Sequence, residues 1–323
     1  MIETPIGPTL EQNFLAVLAD HTAGDPMREG IKWTDLTRRE ISQQMKQRGT
    51  PVGRRLVQQL LKKHHYVKRK ARKVREMGPR HPDRNAQFQN IVRLRQEYMA
   101  AGEPVLSIDT KKKELLGNFY REGKLYTQQP IKVFDHDFPS AASGVVFPHG
   151  IYDLGRNLGH INLGTSHETS QFACDSIEKW WQEQGRAQYP QATKLLLLCD
   201  GGGSNSASRY VFKEQLQALA DRLGLEIRVA HYPPYCSKYN PIEHRLFPHV
   251  TRACQGVVFH TVAVVKSLME KTRTQTGLKV TVDIIDKAYE IGRKCSKGFK
   301  QNMKIAFDAV LPKWNYRAIP ARP

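Results

Sequence analysis

The apolar run at residues 195–199 ends abruptly on Asp200 and a cluster of three glycines. A run this short, with Pro190 before it and glycines after it, is typical of a strand that is buried on both faces of a sheet. An ionised carboxylate at the end of such a strand is costly unless a cation, a hydrogen-bond network or a helix N-terminus satisfies it. Asp200 is therefore either a simple loop or capping residue or one member of a larger acidic site.

Two other stretches place an acidic residue at the end of a predicted strand or at the start of a predicted helix. Residues 105–109 form a second short apolar strand that ends on Asp109. Further along, Asn240 and Pro241 precede Glu243, which predicts a helix with Asn240 as its N-cap and Pro241 at its first position. The interval from Asp109 to Asp200 leaves room for a hairpin, a further strand and a crossover helix before a parallel neighbour. The interval from Asp200 to Glu243 leaves room for a helix, a strand and a turn. The acids are thus expected from two strands and one helix whose ends converge.

The charge balance indicates a polyanionic partner. The 323-residue chain carries 50 Lys and Arg against 31 Asp and Glu, for a net charge of +19. Such an excess attracts nucleic acid. The chain lacks the run of about eighteen apolar residues that a transmembrane helix needs, and its N-terminus lacks a signal-peptide pattern. A cytoplasmic protein with no membrane partner is expected. The five cysteines form no C-x-x-C pair, which argues against a disulfide framework or a zinc knuckle.

The N-terminal part has the pattern of a helix-turn-helix. Thr37 and Glu40 have the spacing of a capping box, and Gly49 and Pro51 separate that helix from a second one at residues 52–63. A plain helical hairpin with a solvated basic face is the alternative interpretation. The cationic tail that follows favours DNA binding, because densely packed like charges repel unless a polyanion neutralises them. The residues expected to contact DNA here are Arg54, Arg55, Lys68, Arg69, Lys70, Arg72, Lys73 and Arg75.

Beyond residue 101 the pattern changes to alternating strands and helices. Expected strands cover residues 105–109, 115–120, 150–154, 160–165, 195–200, 225–231 and 278–284, and expected helices cover 170–184, 206–223, 243–252 and 260–276. This order predicts an α/β fold with a mixed sheet. The expected organisation is a helix-turn-helix domain at residues 1–77, a linker and amphipathic helix at 78–101, and a catalytic domain at 102–323. A peripheral strand or loop is expected at 314–320.

The three acids have a defined chemical use. Carboxylates from adjacent elements form an oxygen-rich site for Mg²⁺, and two such ions about 4 Å apart activate a nucleophile and stabilise the leaving oxygen of a phosphodiester. Asp109, Asp200 and Glu243 are the candidate metal ligands and catalytic residues. Lys111 and Lys112 follow the first acid and either contact substrate phosphates or form a solvated face.

Other residues have competing interpretations. The glycines at 201–203 lack a following Gly-Lys-Ser/Thr, so a P-loop is not expected, and their simpler role is to let the backbone approach metal or DNA. Asn205 is expected to cap the next helix, and Glu114 to pair with a lysine. His231 and His244 are possible metal or substrate contacts. At least one of Trp180 and Trp181 is expected in the core.

Several motifs resemble those of a known family. They are S-I-D-T-K-K-K-E-L-L-G-N-F around Asp109, C-D-G-G-G-S-N-S around Asp200, S-K-Y-N-P-I-E-H-R-L-F around Glu243, H-P-D-R-N-A-Q-F at 81–88, H-D-F-P at 136–139 and K-W-N-Y at 313–316. Together they resemble the ISAzo-type transposases of bacterial insertion sequences, which carry the Rhodopirellula-type DDE domain. N-P-I-E is also similar to a motif of the wider Tc/mariner superfamily.

The resemblance implies an RNase H-like mixed sheet with flanking helices, preceded by an all-α helix-turn-helix domain. It also implies a DDE triad at Asp109, Asp200 and Glu243 that binds two Mg²⁺ or Mn²⁺ ions. Such a protein binds terminal inverted repeats as a homo-oligomer on DNA, cleaves the element ends and joins them to target DNA.

Two alternatives remain open from the residues. In the first, the chain is a non-catalytic helix-turn-helix regulator and the three acids have no catalytic role. In the second, it is an RNase H-like nuclease or resolvase. Metal dependence separates the regulator from both enzymes.

Overall fold

The computed structural model describes residues 8–19, 21–24, 32–69, 81–205 and 207–321. The chain forms two units, Met1–Arg75 and Glu76–Pro323. No described helix has the length and apolar character that a membrane crossing would require.

The first unit is mainly helical. Its elements in order are α1 (Pro8–Ala19), β1 (Thr22–Gly24), β2 (Lys32–Thr34), α2 (Arg38–Gln47) and α3 (Arg54–Lys63). The helices enclose a small apolar core that includes Phe14, Ile41, Met45 and Val57, each fully buried. The strands β1 and β2 pair antiparallel.

The predicted helix, turn and second helix are present as α2 and α3. Thr37 forms the expected capping box with Glu40. Arg54 and Arg55 lie exposed in the first turn of α3, and Lys68 and Arg69 are exposed beyond its end. The other predicted DNA contacts, Lys70, Arg72, Lys73 and Arg75, lie outside the described residues.

The second unit is α/β. Its strands are β3 (Val105–Thr110), β4 (Glu114–Leu116), β5 (Gly144–Asp153), β6 (Leu158–Gly164), β7 (Lys194–Cys199), β8 (Glu226–His231), β9 (Lys279–Ile285), β10 (Ile305–Phe307) and β11 (Asn315–Ala318). Its helices are α4 (Arg84–Ala100), α5 (Ser170–Trp180), α6 (Arg186–Gln188), α7 (Tyr210–Leu223), α8 (Ile242–Arg245), α9 (Phe247–Ala253), α10 (Val262–Glu270) and α11 (Lys297–Asn302). A π-helical turn, Trp181–Gly185, follows α5 directly.

The strands form one mixed sheet in the order β10-β11-β8-β7-β3-β5-β6-β9, with β4 paired to β5. The central strand β5 runs antiparallel to both of its neighbours, β3 and β6, and β7 and β8 run parallel to β3. Three antiparallel strands followed by two parallel ones are the arrangement of an RNase H-like sheet, so the predicted fold class is confirmed.

Helices cover both faces of this sheet. On one face α5 and α7 bury an apolar cluster that includes Ile108, Ile151 and Leu197. On the other face α4 covers a cluster around Leu196 and Leu198. The helices α8 to α10 cover the neighbouring strands on that second face. Alternate strand residues therefore contribute to different layers, as a sheet buried on both sides requires.

Several boundaries differ from the expected ones. The predicted helix at 243–252 is broken at Leu246 into α8 and α9, because Pro248 cannot continue the hydrogen-bond pattern of a preceding helix. The strand expected at 115–120 is only β4. The segment at 314–320 is not peripheral, since β11 lies between β8 and β10. Gly224 ends α7 in the left-handed conformation.

Thr37→Ala should destabilise α2. The hydroxyl of Thr37 accepts the Glu40 N–H at 3.3 Å, and loss of an N-cap side chain costs about 1 kcal/mol. Amide hydrogen exchange of residues 41–47 measures the free energy of local opening. Thr37→Ser keeps the acceptor and serves as the control, so equal exchange in the two variants would contradict the role assigned to this cap.

Candidate active site

The first two acids are brought together by strand register. Ser107 of β3 lies beside Leu198 of the parallel strand β7. Asp109 and Asp200 are each two residues further along, so both carboxylates emerge at the same edge of the sheet. Asp109 is the penultimate residue of β3, and Asp200 follows the last residue of β7.

The third acid is carried by a helix that is tied to the first strand. The hydroxyl of Ser107 donates to Asn240 Oδ1 at 2.5 Å and accepts the Ile242 N–H at 2.9 Å. Asn240 Nδ2 in turn donates to the Ile108 carbonyl at 3.2 Å. These three hydrogen bonds, which we call the β3–α8 clamp, fix the start of α8 and place Glu243 in its first turn.

The predicted capping of α8 is wrong, because the Asn240 side chain takes part in the β3–α8 clamp. Asn240 was expected to cap the helix with its side chain, and Pro241 to be the first helical residue. Instead α8 begins at Ile242, and the fully buried Asn240 side chain binds β3. Only the backbone carbonyl of Asn240 serves the helix, by accepting the Glu243 N–H at 3.1 Å.

Two glycines allow the helix to lie this close to the sheet. Gly150 of β5 is paired with Asp109 across the strands, and a Cβ there would lie 2.6 Å from the Phe247 ring and 2.8 Å from Ile242. At Gly159 of β6 a Cβ would lie 2.5 Å from Leu246. Both contacts are too short for real atoms, so any side chain at these positions would push α8 and α9 away from the sheet.

Burial and neighbouring negative charge destabilise the charged forms of the two aspartates. Burial, and then the negative charge of Asp200, raise the pKa of Asp109 to about 8, and Glu243 adds to the shift through its charge and a hydrogen bond. Burial and the charge of Glu243 raise the pKa of Asp200 to about 6 against an opposing hydrogen bond to Asn240. The site thus concentrates more negative charge than the surrounding protein groups neutralise.

This set of groups fits divalent cations. All three side chains offer carboxylate oxygens, which Mg²⁺ and Mn²⁺ prefer. Asp200 Oδ1 is buried and has no hydrogen-bond partner among the described residues, so it is available as a ligand. A bound cation would relieve both the missing contact and the mutual repulsion.

The backbone of Asp200 is supported by a buried histidine. His231 Nδ1 lies 2.9 Å from the Asp200 carbonyl and 3.3 Å from Cys199 Sγ, while Nε2 lies 2.9 Å from the Tyr316 hydroxyl. Burial lowers the pKa of His231 to about 4, so the ring is neutral near pH 7. Both ring nitrogens are engaged, so His231 acts as a support for Asp200. His244 is exposed on α8.

The support extends to the C-terminal motif. Gln87 of α4 donates to the His231 carbonyl at 2.7 Å and accepts a hydrogen bond from Asn315 Nδ2 at 2.7 Å. Nearby, the His81 ring contacts the Trp314 ring, with centroids 4.6 Å apart. The motifs at 81–88 and 313–316 therefore contact each other next to His231, the residue that supports Asp200. Sequence reasoning missed this pairing, although a Gln and an Asn among apolar neighbours were an available signal.

The remaining predicted residues have mixed outcomes. Glu114 pairs with Lys111, as expected, and also with Arg121, so the charge of Lys111 is already compensated, whereas Lys112 is exposed. Asn205 does not cap α7, which begins at Tyr210, and instead lies buried in a 3₁₀ turn.

The glycine loop is bonded to the start of α5, and the expectation that at least one of the two tryptophans lies in the core is confirmed. Gly203 has a positive φ of 63°, and the Ser204 carbonyl accepts a hydrogen bond from the Ser170 hydroxyl at 2.6 Å. Trp180 and Trp181 are both buried in the apolar core.

A family model agrees with the motifs. The model described as the Rhodopirellula transposase DDE domain matches residues 13–320. No curated protein matches the chain. Among solved structures, a pre-cleavage Mos1 transpososome aligns with a TM-score of 0.47 and 13% identity over 84% of this chain and 73% of that chain. The Mos1 strand transfer complex aligns with a TM-score of 0.46 and 14% identity over 84% of this chain and 72% of that chain.

Ser107→Ala tests the β3–α8 clamp. The substitution leaves Asn240 Oδ1 and the Ile242 N–H without their buried partner, which costs about 1–3 kcal/mol for each unsatisfied group. Urea denaturation measures the loss in the free energy of unfolding. Ser176→Ala is the matched control, because the Ser176 hydroxyl is equally buried yet has no partner within the described chain. Equal losses in the two variants would show that the clamp adds nothing.

The raised pKa values predict a pH dependence. The folded protein holds protons on Asp109 and Asp200 that the unfolded chain releases above about pH 4, so their stabilising effect is complete at low pH and is lost as the pH rises through 6 and 8. With divalent ions chelated, the stability of the wild type relative to Asp109→Asn should fall over this window, by at most about 1.4 kcal/mol per pH unit.

The comparison with Asp109→Asn cancels other titrations, such as those of the buried histidines. Denaturation curves at several pH values between 5 and 9 supply the measurement. A difference in stability that stays constant over this range would mean that Asp109 titrates as an ordinary surface carboxyl.

Proposed function

Because the chain belongs to the Rhodopirellula transposase DDE domain family, we propose that it is a transposase that binds terminal inverted repeats, cleaves DNA at the element ends and joins the freed 3′-hydroxyls to target DNA. The observation that carries the proposal is the proximity of Asp109, Asp200 and Glu243, where burial and then mutual repulsion raise the pKa of the two aspartates.

The three acids are the proposed ligands of two Mg²⁺ or Mn²⁺ ions. When bound, such ions activate the attacking oxygen and stabilise the leaving oxygen of a phosphodiester. The protein's own contribution is positional. The β3–α8 clamp holds Glu243 against β3, and His231 fixes the backbone of Asp200. Both supports lie in buried surroundings, where hydrogen bonds are strong and side chains move little.

DNA binding is assigned to the basic surface. The net charge of +19 provides the attraction for phosphates, and the exposed Arg54 and Arg55 of α3 are proposed to contact the element ends. The proposed contacts continue through Lys68, Arg69, Lys70, Arg72, Lys73 and Arg75, with Lys111 and Lys112 beside the acidic site. Two ends must be brought together for joining, so the active species is a homo-oligomer on DNA, and it acts in the cytoplasm.

Asp200→Asn should abolish cleavage and leave DNA binding largely intact. The amide keeps the size of the side chain but removes the negative charge, and loss of one essential catalytic group lowers rates by at least about 100-fold. The measurements are cleavage of a labelled end in Mg²⁺ and binding of the same end in a chelator. Asp286→Asn removes the same charge from an exposed position and should cleave normally.

The outcomes separate the candidate functions. Metal-dependent cleavage by Asp200→Asn at the wild-type rate would reject the assigned site. DNA binding by the wild type without any metal-dependent cleavage would favour a regulator. Cleavage without joining, particularly of branched or hybrid substrates, would favour a nuclease or resolvase.

A further inference from the structure

A second cluster of titratable groups lies on the opposite face of the sheet. His160 of β6 is paired with Ile151, and Ile151 with Ile108. Residues directly opposite each other across paired strands share a face, and successive residues of a strand alternate. His160 therefore lies on the face of Ile108, and Asp109 points to the other face. The cluster is separate from the acidic site described above.

The cluster contains one imidazole and two carboxylates. His160, Glu183 and Asp283 each offer one ligand atom, and these atoms all lie within 4.8 Å of one another. They come from β6, the π-helical turn and β9 respectively. A π-helical turn is a rare element that occurs mostly at functional sites, and here it carries Glu183 over the edge of the sheet. The three residues thus converge from separate parts of the chain.

The buried imidazole lacks a partner on the side that faces the carboxylates. His160 is 1% exposed, and its Nε2 has no hydrogen-bond partner within the described part of the chain. Nε2 lies 3.8 Å from Asp283 Oδ2. In a tetrahedral zinc site, ligand atoms about 2.0–2.2 Å from the metal are roughly 3.3–3.6 Å apart. A small closing movement would therefore complete that geometry.

The other ring nitrogen is held in the way typical of a metal ligand. His160 Nδ1 lies 2.8 Å from Thr281 Oγ1 and 3.0 Å from Gln184 Nε2, and Gln184 Nε2 also donates to the Thr281 hydroxyl oxygen at 2.6 Å. With the proton on Nδ1, the ring donates to Thr281 and the lone pair of Nε2 is free for a metal, which is the usual arrangement around metal-bound histidines. Binding of an ion at Nε2 would select this tautomer over the one in which Gln184 donates to Nδ1. Burial also lowers the pKa of His160 to about 4, so the ring is neutral near pH 7.

The two carboxylates share a hydrogen bond. The pKa of Asp283 is raised by burial and then by its hydrogen bond to Glu183. Burial opposes ionisation of Glu183, but hydrogen bonds from Lys179 and Asp283 outweigh it and lower the pKa of Glu183. The side chains of Asp283 and Glu183 are 31% and 37% exposed, so water can fill the remaining coordination positions.

Two lysines face the cluster and compensate its charge. Lys179 Nζ binds Glu183 Oε1 at 2.5 Å. Lys266, whose charge also acts on His160, is bonded to Glu270 and to the Val282 carbonyl. The second carboxylate oxygen of Glu183 is not used by Lys179. The lysines weaken binding of a cation without blocking access to the ligand atoms.

We propose that His160, Glu183 and Asp283 bind one divalent transition-metal ion of the Zn²⁺ class. An imidazole with two carboxylates suits Zn²⁺, whereas Mg²⁺ prefers oxygen ligands alone. The ion would join the edge strand β9 to β6 and to the turn after α5. Its role is structural.

Zn²⁺ binding by the full chain tests the site. The Asp109→Asn/Asp200→Asn background removes the acidic site as a competitor, and equilibrium dialysis with metal analysis gives the affinity and stoichiometry. We expect one bound Zn²⁺ per chain. Asp283→Asn should weaken binding at least about 100-fold, because loss of a mere outer partner already costs 10–100-fold. Thr281→Val should cost roughly 10–100-fold on the same basis.

Further variants make the result specific. Asp286→Asn, which removes the same charge three residues away, should bind like the parent. Lys179→Gln should bind Zn²⁺ more tightly, because it removes a competing cation. X-ray absorption of the bound zinc should show a single imidazole. Absence of bound Zn²⁺, or equal affinities in Asp283→Asn and Asp286→Asn, would overturn the proposal.

Discussion

The mutual repulsion of three partly buried carboxylates is the constraint on which the second unit depends. Three like charges at one edge of a sheet oppose folding unless protons or cations compensate them. Burial and this repulsion together raise the pKa values of Asp109 and Asp200. The surrounding structure must therefore hold the acids together against their own electrostatic energy. It does so through strand register and through buried hydrogen bonds, both of which leave the carboxylates little freedom to separate.

The supports act on different elements and for different reasons. The parallel pairing of β3 and β7 sets the level of the two aspartates, and this depends only on backbone hydrogen bonds. The position of Glu243 requires further restraint, because a helix of four residues has little stability by itself. The β3–α8 clamp supplies the missing restraint, and Gly150 removes the side chain that would keep the helix away. The site is thus built as much from a serine, an asparagine and a glycine as from the acids.

The sequence predicted the acids and the sheet better than their supports. Asp109 and Asp200 were recognisable because short apolar runs end on them, which is a local signal. The partners Ser107 and Asn240 are 133 positions apart, and Gln87 and Asn315 are 228 positions apart, so no local pattern could pair them. Asn240 shows the limit clearly. Its position before a proline fits an N-cap equally well, and only the tertiary contact with β3 decides where the side chain goes.

The alternation of strand residues also separates two kinds of ligand. On the face that carries Asp109, the candidate ligands are all carboxylates, a set that suits hard ions such as Mg²⁺. On the opposite face, His160 adds an imidazole, which shifts preference toward Zn²⁺ because nitrogen ligands follow the Irving–Williams order. Both sets include a buried polar atom without a protein partner, Asp200 Oδ1 on one face and His160 Nε2 on the other. The two faces of one sheet therefore present two different sets of candidate ligands, because successive residues of a strand point to opposite faces.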